Sequence, residues 1–202
     1  HLPGLHQDEA FMVTPAVRLL QGRGGGAYVL LPGSLDLPLM VSDHVGPLST
    51  YLAIPFLWGF GIGLRALRAY EFTVGLLSLI LVFFWARRVV RRGFAGIAAM
   101  LLAVMPSFWL GCRNGLYLQF DVLPLAVASL LCLDRWYRGD RARWLYAGCL
   151  ALGLGLCEKI LFVWFLAALA VGVAATRRAV FTRLRRRELA LGGAWFAAGA
   201  AP

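Results

Sequence analysis

Outside its arginine tracts this chain has few charged side chains, and those few are the ones whose types and spacing could do chemistry. Asp8 and Glu9 are adjacent in LHQDEAF, and Asp121 stands in the largely apolar run RNGLYLQFDVLPLA. Lys159, the one lysine among 20 basic residues, follows Glu158 in LGLGLCEKI. Asp43-His44 and Arg113-Asn114 complete the set. A carboxylate can take the proton of an attacking hydroxyl, and an ammonium or guanidinium can hold a phosphate. Ser/His/Asp triads, zinc-ligand spacings and dinucleotide fingerprints are missing from the sequence. The chemistry left is a carboxylate base with a cationic phosphate clamp.

Each of these residues also has a structural reading. Adjacent carboxylates in a helix point about 100° apart, so one of the Asp8-Glu9 pair can face a site while the other holds the loop or a metal. Both can instead simply stabilise a helix N-terminus through the macrodipole. Asp121 is either functional, as carboxylates inside a membrane usually are, or a snorkelling group paired with Arg113. Glu158 and Lys159 can neutralise each other, or the ammonium can hold a phosphate. Arg68 and Glu71, three apart, can pair on one helix face. His44 either orients a phosphate or is a loop histidine.

The elements that must position these groups follow from hydropathy and charge. The chain has 202 residues, 60% of them hydrophobic, and a mean hydropathy of +0.73. Such values exclude an ordinary soluble domain and fit an all-α, polytopic transmembrane helix bundle. Three arginine tracts, Arg87–Arg92, Asp134–Arg143 and Arg177–Arg187, hold 14 of the 20 basic residues. Short basic loops stay cytoplasmic, so the chain leaves and returns between them, and the candidate residues collect on the extracytoplasmic side. The net charge of +10 is explained by topology, and nucleic acid is not an expected partner.

Residues 1–66 read as an outer first loop followed by interfacial helices, and 67–202 as transmembrane helices. Within the first loop one short helix is expected near Glu9–Gln21, and GRGGG at Gly22–Gly26 reads as a flexible turn. Pro47–Gly63 is short and broken by Pro55, which suggests an interfacial helix pair. The expected spans are Leu67–Ala86, Gly93–Gly111, Gly115–Leu133, Trp144–Cys157, Ile160–Ala175 and a start at Leu189. Trp144 to Ala175 is only 32 residues. Two helices of about 16 residues reach roughly 24 Å each, short of a ~30 Å hydrocarbon core. The Glu158-Lys159 tip is therefore expected below the outer surface. The four cysteines have no metal-like spacing, although Cys112 and Cys157, both near the outer rim, could form a disulfide. The chain reads as an internal piece of a longer protein, and 19 arginines against one lysine suggest a GC-rich bacterial source.

In this order the motifs resemble those of the integral-membrane GT-C glycosyltransferases, of the protein O-mannosyltransferase and lipid A aminoarabinose transferase type. The similarity runs from about Leu5 to Thr176. It is carried by LHQDEAF, by His44–Phe60 (HVGPLSTYLAIPFLWGF), by Leu67–Val74 (LRAYEFTV), by Asp121 and by Leu152–Ile160. The chain departs from the family pattern in Val-Gly-Pro after His44, in Glu158 where a threonine is usual, and in a glycine-rich insert at residues 20–35.

The resemblance implies a transferase of the cell membrane that takes a sugar from a polyprenyl-phosphate donor. The sugar passes to a lipid, glycan or protein acceptor on the extracytoplasmic side, with inversion. Asp8 would be the catalytic base with Glu9 beside it. His44, Arg113, Asp121 and Lys159 would bind substrate, and Asp121 could ligate a divalent metal, Mg or Mn. A polytopic transporter is the alternative from another class. Against it, no inverted repeat is visible and the charges crowd one rim rather than the midplane. A structural membrane scaffold is the third reading, and it leaves the sunken Glu158-Lys159 tip without a purpose.

Overall fold

A computed structural model describes residues 7–23, 28–29, 37–42, 45–113, 120–139, 141–176, 180 and 184–201. The described chain is predominantly α-helical, as expected, with one small antiparallel ribbon. Its contacts divide it into two compact units, His1–Asp121 and Val122–Ala201, with Pro202 grouped with the first.

The first unit begins with α1 (Gln7–Leu20), close to the expected helix. Glu9, Val13 and Ala16 are buried at steps of four and three residues, which marks one helix face, whereas Phe11 is exposed. The region up to residue 46, read as loop beyond that helix, also contains β1 (Tyr28–Val29) and β2 (Pro38–Met40), paired Tyr28 to Met40 and Val29 to Pro38. The Tyr51 hydroxyl donates to the Pro38 carbonyl at 2.8 Å and ties this ribbon to the next helix. That helix, α2 (Leu48–Phe60), is continuous through Pro55 rather than the expected pair.

α3 (Leu64–Val89) is 26 residues long. At 1.5 Å per residue it reaches about 39 Å, more than a hydrocarbon core requires. Its last turn carries Arg87 and Arg88, which complement the C-terminal end of the helix dipole. Val13 and Ala16 of α1 and Ala53 and Leu57 of α2 pack on Ala66, Leu67, Tyr70 and Val74 of α3. The core of this unit therefore lies along the first half of α3.

The expected straight span Gly93–Gly111 is instead broken. α4 (Arg92–Val104) and α5 (Pro106–Arg113) meet at 63°. Pro106 has no N–H to continue the helix and forces Met105 into an extended conformation (φ −70°, ψ 126°).

In the second unit α6 (Val122–Tyr137) and α9 (Arg186–Ala200) both pack on α7 (Arg143–Glu158). A β-carbon at Gly153 would strike the Phe196 carbonyl oxygen, and one at Gly199 would strike that of Leu150, so α7 and α9 cross backbone on backbone. After Lys159 a 3-10 turn (Ile160–Phe162) leads into α8 (Val163–Thr176), which has no buried residue and leaves Trp164 exposed. A helix apolar all round and uncovered suits a lipid environment.

Helix length bears on the expected number of crossings. Among the described residues α3 alone is long and apolar enough to cross a membrane, and the bent pair α4–α5 would make a second. Leu48–Phe60 and Ile160–Thr176 are shorter apolar helices. The all-α class stands, while the full set of crossings read from the sequence does not follow from helix length.

Candidate functional site

The phase of α1 turns Glu9 toward α3. There Arg68 receives it with both terminal nitrogens. Nη1 donates to Glu9 Oε1 at 2.7 Å and Nη2 to Oε2 at 3.2 Å. The same Nη1 donates to Glu71 Oε2 at 2.6 Å, the three-residue pairing expected from the sequence. Glu9 and Glu71 are fully buried, while the Arg68 side chain is 26% exposed. One guanidinium thus bridges two buried carboxylates, and charge-assisted bonds of this kind contribute about 1.5–3 kcal/mol each. The clamp fixes the register of α1 on α3. Asp8 lies in the first turn of α1, and its side chain falls outside the described residues.

Between Arg68 and Glu71 on α3, Tyr70 packs edge-on against Phe56, with its hydroxyl near Asp121. Asp121 is 4% exposed and occupies the turn before α6. The helix that follows it starts at Val122 with Pro124 in its first turn, where proline is tolerated. Burial pushes the Asp121 carboxyl up to about 6, and the Tyr70 hydroxyl counters part of that rise by favouring the charged form. Its Oδ2 has no hydrogen-bond partner among the described residues.

The alternative reading of Asp121, a pairing with Arg113, is not formed among the described residues. Arg113 ends α5, is exposed, and makes no ion pair with any described residue. It lines a groove of about 350 Å³ between α3 and the broken α4–α5 pair, with Arg68 as the other charged wall. The Cys112–Cys157 disulfide is also not formed. All four cysteines are free, and Cys112 packs against Gly75.

The second unit carries the other candidate. Glu158 closes α7 and is fully buried, and Lys159 follows in an extended conformation (φ −148°, ψ 120°) at the tip before the 3-10 turn. The Lys159 N–H caps α7 on Gly155 at 3.1 Å, and its carbonyl accepts from Phe162 at 2.9 Å. The Glu158 charge acts on the ammonium, as expected of neighbours.

Asp43, His44, Asn114 and the GRGGG insert from Gly24 onward fall outside the described residues. Among the described residues no three His, Cys, Asp or Glu side chains converge on one point. Both Glu9 oxygens and Oε2 of Glu71 face Arg68, and among the described residues of this unit Asp121 stands apart from them with an unbonded oxygen. These residues do not fit a divalent metal by themselves, and no step below passes through one.

Two partners were not anticipated. Arg68 was expected to hold only Glu71, and the signal for more was its place opposite an acidic pair in an apolar span. Tyr70 was marked only by its phase, since Leu67, Tyr70, Glu71 and Val74 share the buried face of α3.

Residues 44–202 match the model of the family described as dolichyl-phosphate-mannose-protein mannosyltransferase. No curated protein and no solved structure matches the chain.

Proposed function

The chain belongs to the dolichyl-phosphate-mannose-protein mannosyltransferase family, membrane glycosyltransferases of the GT-C type, and on that premise we propose that it forms part of an enzyme using a polyprenyl-phosphate sugar donor at the extracytoplasmic face of the cell membrane. Asp8 is the base. Its carboxylate takes the proton of an acceptor hydroxyl as that oxygen attacks the anomeric carbon. The carbon–oxygen bond to the carrier phosphate breaks, and its electron pair leaves on the phosphate. A single displacement of this kind inverts the anomeric configuration. Lys159 stabilises the charge that gathers on the departing phosphate. Asp121, with Tyr70, is a second site carboxylate, and His44 contacts the donor.

The observation that carries this reading is the clamp of Glu9 by Arg68. Helix positions eight and nine point about 100° apart. With Glu9 committed to Arg68, Asp8 is the member of the pair left to act as base. A base needs a position fixed to within about half an ångström, and a clamp one residue away supports that.

Reconstituted full-length enzyme, given a mannosyl polyprenyl phosphate and a hydroxyl acceptor peptide, tests the reaction. The expected product carries the sugar with inverted configuration and releases polyprenyl phosphate. Retained configuration, or no transfer from any polyprenyl-phosphate sugar, contradicts it. The orientation is checked in a cysteine-free background, where Val90→Cys should resist an impermeant thiol reagent applied to intact cells.

A further inference from the structure

The turn between α6 and α7 gathers arginines and aromatic rings at one end of a helix hairpin. Asp134–Arg143 holds four arginines against two aspartates, with Trp136 and Tyr137 among them and Trp144 next in sequence. Gly139 reverses the chain at φ 102°, a left-handed value that glycine adopts without strain. The last turn of α6 and the first turn of α7 therefore meet. Arg135 of α6 lies over the Trp144 ring of α7, 4.3 Å from its centre, and Arg143 lies over the same ring at 5.4 Å. Both distances are within cation–π range.

Part of this charge is committed and part is not. Arg138 donates from Nε to both oxygens of Asp134, at 2.9 and 3.0 Å. Arg135, Arg141 and Arg143 make no ion pair with a described residue. Asp140, the other carboxylate of the turn, falls outside the described residues. A guanidinium over a ring uses its face, whereas its N–H donors lie in its plane. Arg135 and Arg143 thus keep edge donors for an anion, while the indole restricts where they can go. Tryptophan and tyrosine favour headgroup depth in a membrane. The anion that fits is one carried at that depth.

We propose that Arg135 and Arg143, held on Trp144, form a site for the phosphate of an anionic glycerophospholipid in the leaflet at this end of the hairpin. A zwitterionic lipid is a poorer match, because the cation of its headgroup brings a like charge to the arginines. The site rests on the membrane nature of the family, and on neither the sugar donor nor the base. Its consequence is an anchor for the second unit. From Trp144 to Glu158, α7 rises about 21 Å at 1.5 Å per residue. A lipid fixed at one end of α7 therefore sets the depth of the Glu158-Lys159 tip at the other.

The test uses full-length protein in dodecyl maltoside, titrated with phosphatidylglycerol or phosphatidylcholine and read by native mass spectrometry. Phosphatidylglycerol should bind the tighter of the two. Arg143→Gln, at an exposed position, should raise its Kd about fivefold, the weight of one arginine at an anionic surface, and Arg135→Gln should do the same. Trp144→Leu keeps every charge yet should also raise the Kd. Arg186→Gln removes an exposed arginine that has no ring contact among the described residues, and it should leave the Kd unchanged. Melting temperatures check the folding of each variant, and if Trp144→Leu melts lower the arginine variants decide alone. Equal affinity for the two lipids or an unchanged Kd in Arg143→Gln overturns the proposal. An equal loss in Arg186→Gln also overturns it, since any basic tract would then serve. So does displacement of the lipid by inorganic phosphate or by an acidic peptide, which would mark a general anion surface. No sugar enters the measurement, so the lipid site and the transfer reaction fail separately.

Discussion

Arg68 grips Glu9 through both terminal guanidinium nitrogens, at 2.7 and 3.2 Å, across 59 positions of sequence. It is the polar lock between α1 and α3. Replacing it removes the guanidinium that two buried carboxylates share. Arg68→Met should destabilise the first unit by about 3–5 kcal/mol, the usual cost of breaking a buried pair from one side. Arg68→Lys should recover only part, since an ammonium cannot make the two-pronged contact. Denaturant unfolding in detergent reads both. The triple variant Glu9→Gln/Arg68→Met/Glu71→Gln should regain most of the stability without regaining activity. Arg68→Met with wild-type stability would show that the clamp is not formed.

Asp121 gives a pH signature. Its folded-state pKa is raised to about 6, while the unfolded value is near 3.9. Between those values the folded protein binds more protons than the unfolded one, so stability falls as pH rises through that window. The full difference is on the order of 3 kcal/mol. Asp121→Asn should remove this slope and raise stability at pH 7. Unfolding free energies from pH 4 to 7 check it, and an unchanged slope in Asp121→Asn would refute the assignment. The same variant should lower turnover, as expected of a carboxylate kept in its site at a cost in stability.

The crossing of α7 and α9 makes a prediction about packing alone. Gly153→Ala must displace the Phe196 carbonyl or part the helices, which should cost about 1–3 kcal/mol. Gly172 in α8 is exposed, with open space where its β-carbon would be. Gly172→Ala should therefore gain up to about 1 kcal/mol from helix propensity. Equal effects at the two glycines, measured as melting temperatures, would contradict the backbone contact.

Lys159 is separable from its neighbour by a double variant. Lys159→Met should slow transfer and weaken the carrier phosphate contact. If the ammonium served only to balance buried Glu158, then Glu158→Gln/Lys159→Met would restore both stability and activity. The expected result is restored stability with activity still low. Recovery of activity in the double variant would remove Lys159 from the phosphate site.

The sequence made the local parts readable. Glu9–Gln21 was legible as one short helix, Arg68 and Glu71 as a pair from their spacing, and Glu158-Lys159 as a tip between two short apolar runs. Contacts between distant segments were not readable, because nothing local to Glu9 says that its partner lies 59 residues on. Pro106 and Pro124 were in plain view but were outweighed by hydropathy, which averages over a window and hides a break. The first marks the bend that opens the groove, and the second sets the start of α6 and so places Asp121 in a turn. The ribbon at Tyr28–Val29 and Pro38–Met40 is too short for a period-two pattern to register.

The central claim is that Asp8 is the base and Glu9 its anchor. Turnover of Asp8→Asn in the full-length enzyme, at saturating donor and acceptor, tests it most directly. Asparagine keeps the size and most hydrogen bonds but cannot accept the proton. Turnover should fall by roughly 10²–10⁴-fold, with the melting temperature and carrier affinity unchanged, whereas Glu9→Gln should lower the melting temperature first. Near-normal turnover in Asp8→Asn would contradict the account.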